Sequence, residues 1–460
     1  MALAFLDRAE EAGRLSRLLR RAEASLGVLY GRRRCGKSRL LSEALAGRPA
    51  VYYVGDDRES PLQRLSLAAE IARLLPGFAD VRYPDWESLL GRWWREAPRG
   101  AVLALDEFPS LVTADRSLPS VVQKLVDGAG RGRPHLLLAG SSQRMMQGLV
   151  LDRAAPLFGR AREILKVAPL PAGWIGQALG LRDPVAATEA FSAWGGVPRY
   201  WELASAHGGL IPAVASLVLS PLGVLHDEPR RLLLDDLRDT TQAFSVLALI
   251  GAGCHRVSEI AGRLGKPATS LARPLATLVE LGLVERRVPY GSSPQDGKRT
   301  TYRLSDPFLR LWFRFVEPNR SRLEAGLVDV VARELHVALA LQASSVWEDL
   351  VRDSVPRARC FGVAWGVSSS WWGPGLDRIP LELDVVAEAA DGSELLVGEA
   401  KWQDAIDWPR EVASLRSKVA RLPFAQGRRV RLALWAKRAP RRSHGDVACF
   451  TPGDVLQSLR

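Results

Sequence analysis

The sequence predicts a multidomain α/β protein: a phosphate-loop domain with a helical lid, a winged helix, and a C-terminal α/β domain. Three observations predict it. Apolar runs of strand length alternate with helical patterns, a G-x-x-x-x-G-K-S loop follows the first such run, and an acid-bearing hairpin with an E-x-K element lies near the far end. The chain has 460 residues, 47% hydrophobic and 25% charged, which excludes general disorder and gives several domains enough apolar material to bury. Four cysteines and six histidines show no CxxC or HExxH pairing, so neither a disulfide framework nor a structural zinc site is indicated. With Asp7 and Arg8 interrupting the first apolar residues and no long uncharged run elsewhere, the expected setting is cytoplasmic and no membrane contact is expected.

The first strand pattern is Leu26–Tyr30, leading directly into Gly31-Arg-Arg-Arg-Cys35-Gly36-Lys37-Ser38 and then a helical pattern from Arg39. Strand, loop and helix are the context a phosphate loop needs. Gly31 and Gly36 let backbone N–H groups turn toward phosphate oxygens, Lys37 reaches the outer phosphates, and the Ser38 hydroxyl suits magnesium. Ala50–Val54 reads as a second strand. A third, Gly100–Leu105, ends in Asp106 and Glu107, which suit a magnesium shell and a polarised water respectively. An acid pair at a strand end also suits a helix N-cap, and the upstream loop favours the nucleotide reading. His135–Gly140 ends in Ser141 and Ser142, where a γ-phosphate sensor would sit, and Arg162–Val167 completes five strands.

Residues 168–235 carry helical periodicity and read as a lid over the first domain, 1–167. In residues 236–322, the patterns at Phe244–Ile250, Val257–Leu264 and Ala268–Leu281, followed by strands at Leu283–Tyr290 and Thr300–Leu304, make a winged helix. A DNA-binding use would present Thr269, Ser270, Arg273 and Thr277, with Arg286, Arg287, Lys298 and Arg299 on the wing. Packing or partner docking is the equal alternative.

Residues 323–460 form the last domain. Val328–Ser354 reads as a helix carrying Glu348, with Pro356 as its stop. Ile379–Val386 and Glu394–Trp402 then supply a hairpin in which Glu382 shares a face with Asp384, and Glu399 with Lys401, since strand residues two apart point the same way. Three carboxylates and a lysine converging at a hairpin is the PD-(D/E)xK arrangement of restriction-endonuclease-like folds, in which acids hold magnesium and the lysine handles water. E-x-K alone arises often by chance; the preceding Asp384 strand gives it weight. The basic strand Gly427–Arg438 suits a phosphate backbone, or equally a strand end kept from edge pairing by charge.

Charge sharpens this picture. With 63 Lys and Arg against 51 Asp and Glu, the net +12 permits a polyanionic partner, yet nearly all the cations are arginine. Of the few lysines, Lys37 and Lys401 fall where phosphate chemistry would need them.

Phe5-Leu-Asp-Arg8-Ala-Glu-Glu11, Leu29–Ser38, Leu105–Pro109, Leu138–Ser142, Pro156–Arg160 and Trp194-Gly-Gly-Val-Pro-Arg-Tyr200 together resemble the archaeal-type P-loop ATPases, an AAA+-related (ASCE, STAND-type) signalling family also found in bacteria. The resemblance implies ATP and Mg2+ as cofactors and a nucleotide set of Arg8, Gly31, Cys35, Gly36, Lys37, Ser38, Arg39, Ser141, Arg160 and Pro198. Within it, Arg8 lies beside the adenine, Pro198 in the lid, and Arg160 is either a γ-phosphate contact or a surface arginine. The same family often carries a C-terminal nuclease-like domain of unknown function with a Gly-Glu-x-Lys-Trp strand, which Gly398–Trp402 matches. This implies Asp384, Glu399 and Lys401 as its catalytic group and Glu348 as an added metal ligand. Double-stranded DNA is the first expected partner; a homo-oligomer or a protein partner stays open.

Overall fold

The computed structural model describes residues 3–460 except 129, 131, 238, 294, 296, 298 and 443. The chain divides into two compact units, one made of residues 7–169 and 231–237, the other of residues 3–6, 170–230 and 239–460.

In the first unit, β1 (Leu26–Tyr30), β2 (Ala50–Val54), β3 (Val102–Asp106), β4 (His135–Gly140) and β5 (Ala161–Lys166) form one sheet in the order β2-β3-β4-β1-β5. Every pairing in it is parallel. A parallel sheet is covered by helices on both faces, which is why these strands read as unbroken apolar runs and not as alternating ones. Trp86, Trp93, Leu105, Phe108 and Leu138 lie in the core against it. Because β4 stands between β1 and β3, the loop after β1, the acids after β3 and the hydroxyls after β4 all emerge at the carboxyl edge of adjacent strands, where ligands of open α/β sheets bind.

The second unit opens with helices including Pro184–Trp194 and Pro198–Ala204. Helices Thr241–Gly251, Val257–Leu264 and Ala272–Glu280 then precede an antiparallel hairpin of β6 (Val284–Arg287) and β7 (Thr301–Leu304), which is a winged-helix arrangement. Next comes a helix, Val328–Ala358, of 31 residues. It runs through Pro356 instead of stopping before it. A proline in the last turn sacrifices one hydrogen bond where the ladder is ending anyway, and Arg359 in the left-handed conformation terminates the helix.

The C-terminal sheet has the order β12-β11-β10-β9-β8, formed by β8 (Ser369–Pro374), β9 (Pro380–Glu388), β10 (Glu394–Lys401), β11 (Arg429–Ala436) and β12 (Val447–Phe450). β11 pairs with β10 along its whole length and with β12 only over Leu432–Trp435, so its Arg429–Arg431 end has a partner strand on one side alone. Arg429 and Arg431 pair with Glu394 on β10. The wing joins this sheet: the Tyr290 N–H donates to the Ser370 carbonyl at 2.9 Å, Arg299 donates to the Trp372 carbonyl, and the Tyr290 ring packs on Phe424 at 5.1 Å. Among the described residues no helix is long and apolar enough to cross a membrane.

Candidate functional site

The loop after β1 is shaped by close approach. Gly31 has φ 151°, and a Cβ there would meet the Val167 carbonyl oxygen at 2.3 Å, so only glycine fits beside the end of β5. Gly36, at φ 92°, caps the helix Lys37–Leu45 in the left-handed conformation. Between them Cys35 is buried. Lys37 is 5% exposed and donates from Nζ to the carbonyls of Gly31 at 2.8 Å and Arg32 at 3.2 Å. Burial lowers its pKa, against the opposing pull of Glu107 and Asp106.

The Ser38 hydroxyl donates to Asp106 Oδ2 at 2.6 Å, and the Tyr52 hydroxyl donates to the same oxygen at 2.6 Å. Tyr52 is a residue that sequence reading missed. Its phenol is pushed up by burial and by Asp106. Glu107, at φ 49°, turns back so that its Oε2 accepts from the Ser141 hydroxyl at 2.9 Å and from the Ser141 N–H at 3.2 Å. A hydroxyl and a carboxylate oxygen at the start of a helix, beside a buried lysine, fit a magnesium–nucleotide phosphate group. The structure therefore gathers Gly31, Cys35, Gly36, Lys37, Ser38, Asp106, Glu107 and Ser141 at one edge of the sheet.

Arg8 is also in this unit. It is buried and left-handed at φ 71°, donates to the Cys35 carbonyl at 3.3 Å and to the Ala168 carbonyl, and pairs with Glu11 at 2.9 Å, so it buttresses the loop from behind. Arg39 is exposed on the second residue after Lys37. Arg160 makes a two-pronged contact with Asp127, at 2.8 and 2.9 Å. Pro198 opens a helix in the other unit.

A second group sits in the C-terminal sheet. The pairings of β9 slip by one residue between those to Trp371 and Ser369, which places a β-bulge beside Asp384. Asp384 Oδ2 accepts from the Ala400 N–H at 2.9 Å, across from Glu399 on β10. Glu399 is buried, its Oε2 bonded by Lys401 at 3.0 Å and its Oε1 by Lys418 at 2.6 Å. Burial and the Asp384 charge raise its pKa. Burial works against charge on Lys401, but Glu399 and Glu411 more than offset it and its pKa is raised. Lys418 was visible as one of the few lysines, but nothing in its helix marked it as a partner of Glu399.

Glu348 faces a cavity of about 250 Å³ shared with Glu382, Asp384, Arg303 and Arg352, and burial with the Asp384 charge pushes it to about 7. Glu382 lines this cavity, whereas Glu399 reaches the helix Trp408–Ala420 through Lys418, and Leu381 and Leu383 pack with Leu415 of that helix. Lys418 Nζ also donates to the Glu382 carbonyl at 3.0 Å, so it ties the backbone of β9 to the Glu399 carboxylate, while the Glu382 side chain lines the cavity with Asp384. Among the described residues no group of three or more His, Cys, Asp or Glu is placed to hold a metal ion.

The winged helix divides its candidates. Thr269, Ser270 and Arg273 are exposed and Thr277 is half-buried. On the wing, Arg286 is exposed and bonds Thr300 at 3.0 Å, whereas Arg287 is half-buried between Glu285 and Asp349, where the wing packs into the C-terminal domain. Lys298 lies outside the described residues. Asp349 holds three arginines: Arg287 at 2.5 Å, Arg310 at 2.6 Å, and Arg352.

Comparison with known proteins bears on these modules. Residues 5–175 match the family described as an ATPase domain predominantly from Archaea, residues 241–288 an IclR helix-turn-helix domain, and residues 312–416 a family of archaeal and bacterial proteins of unknown function. An uncharacterized protein of Methanocaldococcus jannaschii is 25% identical over 410 residues, covering 88% of each chain. A Walker-type ATPase of Pyrococcus abyssi shares the fold with a TM-score of 0.52 at 19% identity, over 67% of this chain and 95% of that one. The ORC2 protein of Aeropyrum pernix, solved with ADPNP and ADP, aligns at 17% identity with a TM-score of 0.43, over 73% of this chain and 97% of that one.

Proposed function

Because the chain carries an archaeal-type P-loop ATPase domain, we propose that it binds and hydrolyses ATP with magnesium, and that its nucleotide state controls a winged-helix and nuclease-like module acting on double-stranded DNA. The observation that carries the ATPase reading is the junction of Ser38 and Asp106 at 2.6 Å, next to a lysine folded into its own loop.

In this reading the backbone N–H groups from Gly31 to Ser38 orient the phosphates, and Lys37 exchanges the Gly31 and Arg32 carbonyls for β- and γ-phosphate oxygens. Ser38 and Asp106 hold the metal, which when bound neutralises charge on those oxygens. Glu107 orients the attacking water and accepts its proton at a carboxylate oxygen. Ser141 holds that carboxylate aside until the substrate is seated. The exposed residues Thr269, Ser270 and Arg273 present the DNA-reading face, and the wing serves docking instead.

Steady-state ATP turnover is the first test. It should require magnesium and fall by at least about a hundredfold in Lys37→Ala and Asp106→Ala, the scale expected when a charge-stabilising group is removed. Turnover that survives both changes refutes the site. Cleavage of duplex DNA that disappears in Asp384→Ala and Lys401→Ala would support the nuclease reading.

A second reading has its own observation. Both Glu399 oxygens are bonded by lysines, which suits a slow-turnover STAND-type signalling or scaffold switch whose nuclease-like domain grips a partner without cutting. Intact DNA under every divalent metal and nucleotide would favour that switch.

A further inference from the structure

Two carboxylates far along the chain arrive at the nucleotide edge of the ATPase unit. The helix Glu228–Asp236 ends in Asp235 and Asp236, and residues 231–237 belong to this unit although 170–230 and 239–460 belong to the other. Asp235 Oδ1 lies 3.4 Å from Arg33 Nη1 in the phosphate loop. Asp236 Oδ1 accepts from the Ser142 hydroxyl at 3.1 Å and from the Arg144 N–H at 3.2 Å, and its carboxylate is bonded by the Gln143 N–H as well. These donors form the opening turn of the helix Gln143–Val150, directly after β4. Lys37 acts electrostatically on both aspartates.

An arginine, a hydroxyl, the first N–H groups of a helix and the loop lysine are the groups by which proteins hold a phosphate. Here they face carboxylates supplied by the chain itself. We propose that Asp235 and Asp236 form a built-in plug standing in for the terminal phosphate of a nucleoside triphosphate, so that ATP binding expels the end of their helix from the ATPase unit. This rests on the ATP-binding reading above and adds how that binding is read out.

Like charge drives the exchange. A terminal phosphate brought to the same donors would face two carboxylates within a few ångströms, and the anions cannot share the site without a large repulsion. Burial pushes the Asp236 carboxyl up, and its hydrogen bonds to the Arg144 and Gln143 N–H groups and the Ser142 hydroxyl recover only part of that cost. ADP lacks the group that competes and leaves the plug in place, as does inorganic phosphate at low concentration, which lacks the anchorage the rest of the nucleotide supplies. The segment continues after a few residues into the winged helix at Thr241, so its release is passed along the chain to the module that reads DNA.

The test uses the full-length protein, a fluorescent non-hydrolysable ATP analogue with magnesium, and timed trypsin cleavage after Arg230 and Arg231 followed by mass spectrometry. The analogue should speed cleavage about tenfold over the apo protein, while ADP and inorganic phosphate do not. Asp235→Asn with Asp236→Asn should bind the analogue about tenfold more tightly, as expected for removing a state that blocks the site roughly nine-tenths of the time, and should be cut fast without nucleotide. Asp235→Asn alone, which leaves the Asp236 hydrogen bonds to the helix intact, should give part of both effects. Analogue that binds the wild-type protein while leaving its cleavage unchanged, or equal affinity in wild type and both variants, overturns the plug alone. Absence of binding to every form overturns the plug together with the ATP reading.

Discussion

Replacing Asp349 with asparagine should cost the larger unit a major part of its stability. The carboxylate is 17% exposed and sits among the side chains of Arg287, Arg310 and Arg352, which are 11%, 13% and 9% exposed. Asparagine keeps the shape and removes the charge, leaving three guanidinium groups together in a site built for one anion. Some compensation survives: Arg287 keeps Glu285, Arg310 keeps the Leu304 carbonyl, and Arg352 keeps the Asp384 carbonyl. Breaking a buried ion pair from one side costs about 3–5 kcal/mol, against a total of about 5–15 kcal/mol for a folded domain. Urea unfolding followed by tryptophan fluorescence reads this as a shift of the transition that includes Trp312 and Trp347, fully buried in the same unit, while Trp86 and Trp93 report the ATPase unit. Burial alone would raise the Asp349 pKa, but Arg310, Arg287 and Arg352 hold it well below the usual carboxylate range. A depressed pKa stabilises the fold above the unfolded value and is lost as pH falls toward the folded one. The gap between wild type and Asp349→Asn should accordingly be flat near neutrality and narrow below about pH 4. A loss under about 1 kcal/mol, the range of exposed ion pairs, would refute the account of a buried electrostatic hub.

Gly31→Ala should destabilise the ATPase unit by about 1–3 kcal/mol, measured by thermal melting, because its Cβ would strike a backbone oxygen that cannot rotate away; nucleotide binding should weaken with it. Arg273→Ala should reduce the dependence of log affinity on log salt for duplex DNA by about one, whereas Arg287→Ala should lower stability and leave that slope unchanged, since Arg273 is exposed and Arg287 is half-buried in the docked wing.

What was legible in the sequence was what is local. The loop from Gly31 to Ser38, the acids after β3 and the hydroxyls after β4 each follow an apolar strand, so motif and strand end coincide in a short stretch. Partnerships across the sheet were not legible. Tyr52 meets Asp106 because β2 pairs with β3, a choice set by packing over the whole unit. The same holds for the wing. Its arginines look like a basic surface in sequence, and only the approach of the Val328–Ala358 helix shows that Arg287 is spent on Asp349. Asp384 and Glu399 were found through their spacing, while the bulge beside Asp384 depends on the register between β8 and β9.

The ATPase unit is not a continuous stretch of chain, and this bears on how the protein is made. When residues 7–169 have left the ribosome they hold the complete five-stranded sheet, yet Ser142 and the first N–H groups of the Gln143–Val150 helix still lack the carboxylate that occupies them in the finished molecule. That carboxylate is synthesised more than sixty residues later, after the lid helices. On the plug proposal, the nascent sheet would during that interval present an open phosphate site to ATP, and nucleotide would enter before the rest of the chain exists to respond.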